Sequence, residues 1–472
     1  MQDFQENGSD VEAWLSQGVK NMTEATDTSS DRRLTRLVDQ FAHHYGRSPA
    51  FIVRAPGRVN LLGEHTDYNG LPVLPMAIDR NIVIAGGPRG DRVVMLQNIE
   101  PQFGAREYEL NEDIPPFAAG DWGNYSKAAA QGLMHYCRGQ LRYGAQLLVD
   151  GNILSGAGLS SSSALVVGNA LALLAANEVD VPFVTLAELL PVAERYVGTL
   201  SGGMDQATSL LAQRGHALRI DFFPLRVRTV PLPQGYSIVV CHSLVQAEKS
   251  GPAKRAYNLR VIECRLACRM LEHALGSGLP RPLHMLGDLP TLFPGRPLVE
   301  FISLVGTHVP DRPLSLAQIA AIIGTAPERL RSECHITADL GDRFALLRRL
   351  RHVLCEAERV SQAEEALRAG DALGFGRLMD ASHQSCRDDY EISCAELEEL
   401  VHIAKEAGIA GARLTGAGFG GCTVNLVADA EAQTFLRRVD RLFYRSRLAL
   451  ARDAHECRFI FKPQAGAEVR RL

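Results

Sequence analysis

The chain has 472 residues, which is more than one domain of roughly 100 to 200 residues requires. Apolar residues make up 46% of it, as in ordinary globular proteins. The 50 basic and 54 acidic side chains give a net charge of −4, which is too balanced for a surface that binds a polyanion, so nucleic acid is not an expected partner. The ten cysteines form no Cys-x-x-Cys pair, and they predict reduced, packed thiols.

Neither the beginning of the chain nor its most apolar stretch indicates a membrane. Residues 1–29 are polar and lack periodicity, so they predict a flexible leader without a secretory signal, and a cytoplasmic location is expected. Residues 164–176 are the most apolar stretch, but a helix that spans a bilayer needs roughly twenty such residues. We therefore expect no membrane partner.

Hydrophobic periodicity predicts the elements of the first half in chain order. Apolar residues recur at helical spacing from residue 30 to Tyr45, and Gly46 supplies a stop, so this segment predicts an amphipathic helix. A second helix is predicted directly after a glycine-serine stretch at 156–163. Short β-rich runs occur at 50–54, 81–85, 93–97, 146–149, 217–222 and 237–241.

The second half is predicted to be mainly helical. Seven prolines between residues 280 and 313 predict an irregular, proline-rich insertion. Helices are expected over 344–379 and around 397–404, with Gly408 as a stop, and strands at 423–427 and 458–461 flank a helix that carries Phe435, Leu436, Val439 and Leu442. The whole pattern is α+β, with an N-terminal domain at 30–240 and a C-terminal domain at 241–472.

The segment ILSGAGLSSSSA, residues 153–164, is the most informative motif. Glycines let backbone N–H groups approach a polyanion, and the N-terminus of the following helix adds partial positive charge, so the segment predicts a phosphate-binding loop. It is not the Walker pattern. Two further glycine-dense segments, LSGGMDQ at 200–206 and LTGAGFGGC at 414–422, suggest one ligand held from several sides.

The segment APGRVNLLGEHTDY, residues 55–68, concentrates Arg58, Glu64, His65 and Asp67 within a few positions. Carboxylates and an imidazole this close together suit a polyhydroxylated ligand, because each oxygen can accept a hydrogen bond from a sugar hydroxyl. A metal site is the alternative interpretation, but one histidine and two carboxylates without helical spacing make a weak ligand set.

Asp205 and Arg58 are the candidate catalytic residues. Phosphoryl transfer to a hydroxyl needs a carboxylate that orients the acceptor or takes its proton, and a cation that stabilises the transferring group. Glu194 precedes Asp205 in a helical run and is a candidate magnesium ligand beside a loop serine.

These segments resemble the GHMP family of small-molecule kinases, and within it the galactokinase branch. GRVNLLGEHTDYNG, GLSSSSA, GGMDQ and GARLTGAGFGGC occur in the order of that family, and WGNY, YNLRVIECRLA and CRDDYEISCAELEEL also match. The resemblance covers most of the chain from about residue 48. It implies a two-domain α+β fold, with an N-terminal domain like domain 2 of ribosomal protein S5, a ferredoxin-like C-terminal domain, and ATP and sugar between them.

The resemblance also implies a role for each matching residue. Asp205 would be the catalytic base and Arg58 would stabilise the transition state, while Ser162 and Glu194 would hold Mg²⁺. Trp122 would lie near the adenine of ATP, and Gly416 to Gly421 would close over the site. The phosphates would be bound by Gly156, Ala157, Gly158, Leu159, Ser160, Ser161 and Ser162. The sugar would be bound by Arg58, Glu64, His65, Asp67, Gly202, Asp205 and Tyr257.

The implied activity is ATP-dependent phosphorylation of the anomeric hydroxyl of galactose. GLSSSSALV, GGMDQ and NLRVIECRLA look more like plant galactokinases and animal N-acetylgalactosamine kinases, so another galactose-like acceptor is the alternative. A catalytically silent sugar and ATP sensor is a further alternative, but Arg58, Asp205 and the serine loop are all present and favour an enzyme. The expected partners are a sugar and ATP, and the chain is expected to act as a monomer.

Overall fold

The computed structural model describes residues 28–246, 251–447 and 457–472, so most of the predicted leader lies outside the described residues. The first part of the chain alternates strands with helices that pack on them. Its elements are α1 (Thr28–Tyr45), β1 (Phe51–Leu62), β2 (Leu74–Pro88), β3 (Val93–Asn98), β4 (Arg106–Glu109), α2 (Gly123–Cys137), β5 (Ala145–Gly151), α3 (Ser161–Ala176), α4 (Phe183–Glu194), α5 (Met204–Leu211), β6 (His216–Asp221), β7 (Arg226–Pro231) and β8 (Tyr236–His242).

The second part begins with a long helix and is mainly helical. Its elements are α6 (Gly251–Leu275), α7 (Leu289–Leu292), α8 (Glu300–Gly306), α9 (Leu316–Ile323), α10 (Pro327–Glu333), α11 (Leu346–Arg368), α12 (Ala372–Asp388), α13 (Ala395–Glu406), β9 (Gly411–Thr415), β10 (Cys422–Ala428), α14 (Ala432–Val439), β11 (Arg458–Phe461) and β12 (Glu468–Arg471). Among the described residues, we find no helix with both the length and the apolar composition needed to cross a bilayer.

A six-stranded sheet in the order β12-β1-β2-β5-β3-β4 forms the centre of the first part. All its neighbours are antiparallel except β3 and β5, which run parallel. Because side chains alternate between the two faces of a strand, Phe51 and Val53 point into the large core with α3, while Ile52 packs under α1 with Leu37 and Phe41. The sheet is therefore covered by helices on both faces.

A four-stranded antiparallel sheet in the order β11-β8-β10-β9 lies in the second part. Apolar residues of α13 and α14, among them Leu400 and Phe435, pack on one of its faces. Strand β9 follows α13 and also packs against α12. This sheet therefore carries the third glycine segment, which connects β9 to β10.

The domain division at residue 240 stays a prediction, and two strands, β8 and β12, pair with strands far from them in the sequence. Strand β8 spans that position and pairs with β10 and β11, while β12, at the end of the chain, pairs with β1. The pairing of β8 with β10 and β11 could not be predicted from the sequence, because β8 is apolar on both faces. Ile238 and Val240 point into the large core, and Val239 and Cys241 point into the core under α13 and α14. Its neighbours, rather than its own pattern, assign it to the second sheet.

The predicted elements are largely confirmed. Each predicted β-rich run lies in a strand to within one residue, and the amphipathic helix ends as expected at Gly46, whose φ is 68°. The proline-rich insertion contains only short helices. The helix predicted to carry Leu442 ends at Val439 and continues as a π-helical turn, in which Leu442 is exposed. All ten cysteines are free thiols, and most are buried, as predicted.

Candidate active site

The sugar-type motif at 55–68 occupies the end of β1 and the turn that follows it. Strand β1 approaches the phosphate-type loop so closely that a Cβ at Gly57 would lie 2.6 Å from the carbonyl oxygen of Leu159. Only glycine permits this approach. The next residue, Arg58, then donates from its backbone N–H to Leu159 O over 3.2 Å.

Arg58 connects the phosphate-type loop to the candidate base. Its Nη1 donates to the carbonyl oxygen of Gly158 over 2.6 Å, and its Nε and Nη2 lie 2.8 and 2.7 Å from Oδ1 of Asp205. The Arg58 and Asp205 side chains are only 6% and 14% exposed. The guanidinium is therefore fixed in a fork geometry between a loop carbonyl and a carboxylate.

Asp205 lies in the first turn of α5, and a second carboxylate, that of Asp67, faces it from the sugar-type motif. Burial, together with the negative charge of Asp205, raises the pKa of Asp67 to about 6. Oδ2 of Asp67 accepts a hydrogen bond from the backbone N–H of Met204 over 3.3 Å. A Cβ at Gly202 would lie 2.2 Å from that same oxygen, so the glycine lets the loop before α5 reach Asp67.

Glu194 ends α4 and is buried beside the start of α3. Its Oε2 accepts hydrogen bonds from Ser163 Oγ over 2.8 Å and from Gln206 Nε2 over 2.5 Å. Ser163 also lies 3.4 Å from Oδ2 of Asp205. Ser162, which the sequence predicts as a metal ligand, lies half-buried in the first turn of α3. The structure thus adds Ser163 and Gln206 to the predicted residues.

The first and third glycine segments lie against each other. A Cβ at Gly416 would lie 2.6 Å from the carbonyl oxygen of Gly158, and one at Gly421 would lie 2.9 Å from that of Ala157. Gly416, Gly421 and Gly158 also have φ between 72° and 84°, a conformation that side chains disfavour. The first and third glycine segments are far apart in the sequence, but their backbones are therefore in direct contact at Gly158 and Gly416.

Glu64 ties the sugar-type motif to this third segment. Its Oε1 accepts from the backbone N–H of Gly416 over 3.0 Å, and its Oε2 lies 2.8 Å from Nη1 of Arg413. The two side chains of this ion pair are 1% and 0% exposed. Burial raises the pKa of Glu64, although the charge of Arg413 opposes that shift.

The turn that carries Glu64 and His65 is held by a carboxylate of α11. Oε1 of Glu356 accepts from the backbone N–H of Gly63 over 2.9 Å and from that of Glu64 over 3.4 Å. His65 adopts a φ of 61°, which is uncommon for a residue with a side chain and requires such support. Its ring stacks at a tilt on Tyr257, with 5.1 Å between the ring centroids.

Trp122 is the predicted adenine contact. It is 9% exposed, its indole N–H donates to Gly104 O over 2.9 Å, and its ring lies 6.0 Å from that of Phe103. These contacts place it against the connection between β3 and β4. The adenine role of Trp122 stays a prediction.

Sequence reasoning missed several residues that hold the predicted ones. The sugar-type motif is contacted by Arg413 of β9, by Glu356 of α11 and by Tyr390, which follows α12. Arg413 and Tyr390 do lie within segments that match the family, so the motif GARLTG and the motif DDYEIS were available as signals.

Three known family models match segments of the chain that contribute to this site. The model described as "GHMP kinases N terminal domain" matches residues 124–213, and "GHMP kinases C terminal" matches residues 363–445. The model described as "Galactokinase galactose-binding signature" matches residues 39–88, which include the sugar-type motif. The fold is therefore the two-domain fold of a GHMP kinase, as the sequence predicts.

Individual relatives narrow this class. A galactokinase of Dictyostelium discoideum is 34% identical over 449 residues, which cover 88% of this chain and 89% of the relative. A galactokinase of Roseiflexus sp. (strain RS-1) is 38% identical over 405 residues, with 84% and 89% covered. The galactokinase of Bos taurus is 35% identical over 422 residues, with 86% and 90% covered. The chain belongs to the galactokinase family.

Solved structures agree with this assignment. Lactococcus lactis galactokinase, solved in complex with galactose, superposes with a TM-score of 0.73 at 28% identity and covers 92% of this chain and 99% of its own. The Methanococcus jannaschii mevalonate kinase reaches a TM-score of 0.53 at 19% identity, with 88% of this chain covered, and shares the fold alone.

Proposed function

We propose that this protein transfers the γ-phosphoryl group of ATP to the anomeric hydroxyl of galactose, giving galactose 1-phosphate. The observation that carries the proposal is the direct Arg58–Asp205 pair, which lies where the sugar-type motif, the phosphate-type loop and the start of α5 meet. The galactokinase names of the relatives support the choice of sugar and of ATP.

Asp205 is the proposed catalytic base. Its carboxylate accepts the proton of the anomeric hydroxyl as that oxygen attacks the γ-phosphorus, and the bond from phosphorus to the bridging oxygen of ADP breaks. Arg58 stabilises the negative charge that spreads over the equatorial oxygens, because its fork presents several N–H donors. Since Asp205 already holds Arg58 in place, little reorganisation is needed before transfer.

ATP is proposed to lie along the phosphate-type loop. Residues 156–162 precede the N-terminus of α3, where backbone N–H groups and the helix dipole favour phosphate. Contact of Gly158 and Ala157 with the third glycine segment encloses this loop from the other sheet. Trp122 is proposed as the neighbour of the adenine.

The residues around Glu194 fit a magnesium ion that accompanies ATP. Mg²⁺ prefers oxygen ligands and is commonly held by one or two carboxylates together with substrate phosphates. Among the described residues no cluster of three or more His, Cys, Asp or Glu side chains offers a metal site built from protein alone. Such oxygens are supplied by Glu194 and Ser162, together with the adjacent Ser163. When bound, the ion would neutralise part of the phosphate charge.

The sugar is proposed to lie against Asp67, Tyr257 and the backbone of Gly202, next to Asp205. Ionised Asp67 accepts hydrogen bonds from sugar hydroxyls, and the ring of Tyr257 packs beside the sugar. Glu64 and His65 complete the predicted set, and both also bind the third glycine segment. The predictions of a monomer and of a cytoplasmic location stay predictions.

A coupled assay of ADP release with a panel of sugars tests the proposal. We expect galactose to be used at least about tenfold more efficiently than N-acetylgalactosamine, because the Tyr257 phenol can bond a hydroxyl and occupies volume that an acetamido group needs. Equal values of kcat/KM, or a preference for the acetamido sugar, would favour the alternative acceptor. Sugar binding without any ADP release would favour the sensor.

A further inference from the structure

Both ring nitrogens of His65 are engaged by protein groups. Nε2 lies 3.1 Å from the carbonyl oxygen of Ala417, in the third glycine segment, and Nδ1 lies 2.9 Å from the hydroxyl of Tyr68. His65 as a whole is 4% exposed. His65 therefore joins the sugar-type motif of the first sheet to the glycine segment of the second.

The hydrogen bonds continue beyond Tyr68 into the helical part of the chain. The Tyr68 hydroxyl lies 2.7 Å from that of Tyr390, which lies 3.1 Å from Sγ of Cys264 in α6. Tyr390 is fully buried, and Cys264 is 1% exposed. Ala417, His65, Tyr68, Tyr390 and Cys264 thus form one continuous row of hydrogen bonds.

The chemistry of the groups fixes the direction of every hydrogen bond in this row. A carbonyl oxygen only accepts, so Nε2 of His65 carries a proton. Burial, together with the charges of nearby His352, Arg260 and Arg413, lowers the pKa of His65 to about 3. The ring is therefore neutral, and Nδ1 must accept from Tyr68. Each hydroxyl has one proton, so Tyr390 donates to Tyr68, and the thiol of Cys264 donates to Tyr390.

The far end of the row is held rigidly. Nε of Arg260 donates to the backbone carbonyl of Tyr390 over 2.7 Å, and Arg349 donates to that of Asp389. The Tyr390 ring also lies 4.3 Å from that of His352, whose Nε2 is 3.0 Å from the carbonyl oxygen of Glu64. Tyr390 is therefore a fixed point against which the His65 ring can be oriented.

We propose that Tyr68 and Tyr390 are positioning residues that lock His65 as the neutral tautomer protonated on Nε2, and that His65 thereby holds the third glycine segment against the phosphate-type loop. Ala417 follows Gly416, the residue that packs on Gly158, so a shift of the imidazole moves the segment that encloses the phosphates. The kinetic consequence rests on the proposed function, whereas the tautomer itself does not.

The test combines nitrogen NMR with kinetics on the full chain. In protein labelled with ¹⁵N-histidine, His65 is assigned by its loss in His65→Asn, and long-range ¹H–¹⁵N correlations report the tautomer. We expect the Nε2–H form in the wild type. Tyr68→Phe should move the Nδ1 resonance downfield, because its donor is lost, and Tyr390→Phe and Cys264→Ala should produce successively smaller shifts in the same direction.

The matched control is Tyr45→Phe. It removes a tyrosine hydroxyl that lies outside this row and donates to the carbonyl oxygen of Leu147 over 3.2 Å. It should leave the His65 resonances and kinetics unchanged. Tyr68→Phe should lower kcat/KM for both ATP and galactose by at least about tenfold, because a displaced segment misplaces the phosphates.

A wild-type His65 protonated on Nδ1, a cationic His65, or an unchanged Nδ1 resonance in Tyr68→Phe would overturn the proposal. The wild-type spectrum decides even where a variant does not fold. If the spectra behave as expected but no sugar is phosphorylated, the function proposed above fails while the tautomer lock stands.

Discussion

The buried pair of Arg413 and Glu64 allows a quantitative prediction, because both side chains are almost completely removed from water and lie 2.8 Å apart. At an effective dielectric constant of about 20, two unit charges at this distance attract by about 6 kcal/mol. Desolvation of both ions offsets much of this attraction. What can be measured is the effect of removing one partner, which leaves the other charge buried alone.

Arg413→Met should lower the free energy of unfolding by about 3–5 kcal/mol, measured by equilibrium denaturation in urea. Glu64 then loses the positive charge that offsets the cost of burying its carboxylate, so its pKa rises further. The double variant Glu64→Gln with Arg413→Met should be more stable than Arg413→Met alone, because the Gln amide carries no charge that needs the lost cation and its carbonyl oxygen still accepts from Gly416.

The control is Arg329→Met, which removes a pair of similar length, 2.7 Å to Glu333, from a side chain that is 71% exposed. Its loss should stay below about 1 kcal/mol. The reasoning is refuted if Arg413→Met costs no more than this control, or if the effects of the two single substitutions at 64 and 413 simply add in the double variant.

Three further predictions concern the reaction, measured as steady-state ADP release. Asp205→Asn keeps the shape of the side chain but removes the proposed base, so turnover should fall by about 10² or more while ATP binding changes only severalfold; normal turnover would exclude the assignment. Arg58→Lys keeps the charge but loses the fork, so kcat should fall by about 10² and more than the ground-state affinities; a rise in KM for galactose alone would make Arg58 a binding residue. The pKa of Asp67 is raised to about 6, so its carboxylate becomes protonated as the pH falls through that value. The value of kcat/KM for galactose should therefore fall about tenfold per pH unit well below pH 6, and Asp67→Asn should abolish this acidic decrease. An unchanged decrease in the variant would assign it to another group.

Much of the local structure could be predicted from the sequence, because it follows from periodicity and from single residues. The helix that ends at Gly46 and the strand runs of the first sheet are determined by apolar residues at spacings of 3.6 and 2. The glycine segments could be recognised because glycine adopts φ near 70–85° without strain and permits the backbone approach seen between Gly416 and Gly158. The order of these motifs was sufficient to predict the family and the two-domain fold.

The long-range arrangement could not be predicted, because a periodic pattern describes an element and not its neighbours. Strand β8 is apolar on both faces, so only its pairing with β10 and β11 assigns it to the second sheet. Likewise β12 is a short polar strand that joins the first sheet through β1.

The chemistry of the site depends on the same long-range contacts. The sequence supplied Glu64, His65 and Asp67 as candidate sugar ligands, but the tertiary structure decided that Glu64 is paired with Arg413 and that His65 is held between Ala417 and Tyr68. Their protonation follows from burial, because removal from water disfavours the charged form of each group. The sequence alone therefore determines the local elements and the order of the motifs. The raised pKa of Asp67 and the neutral state of His65 arise only when distant segments pack together and exclude water.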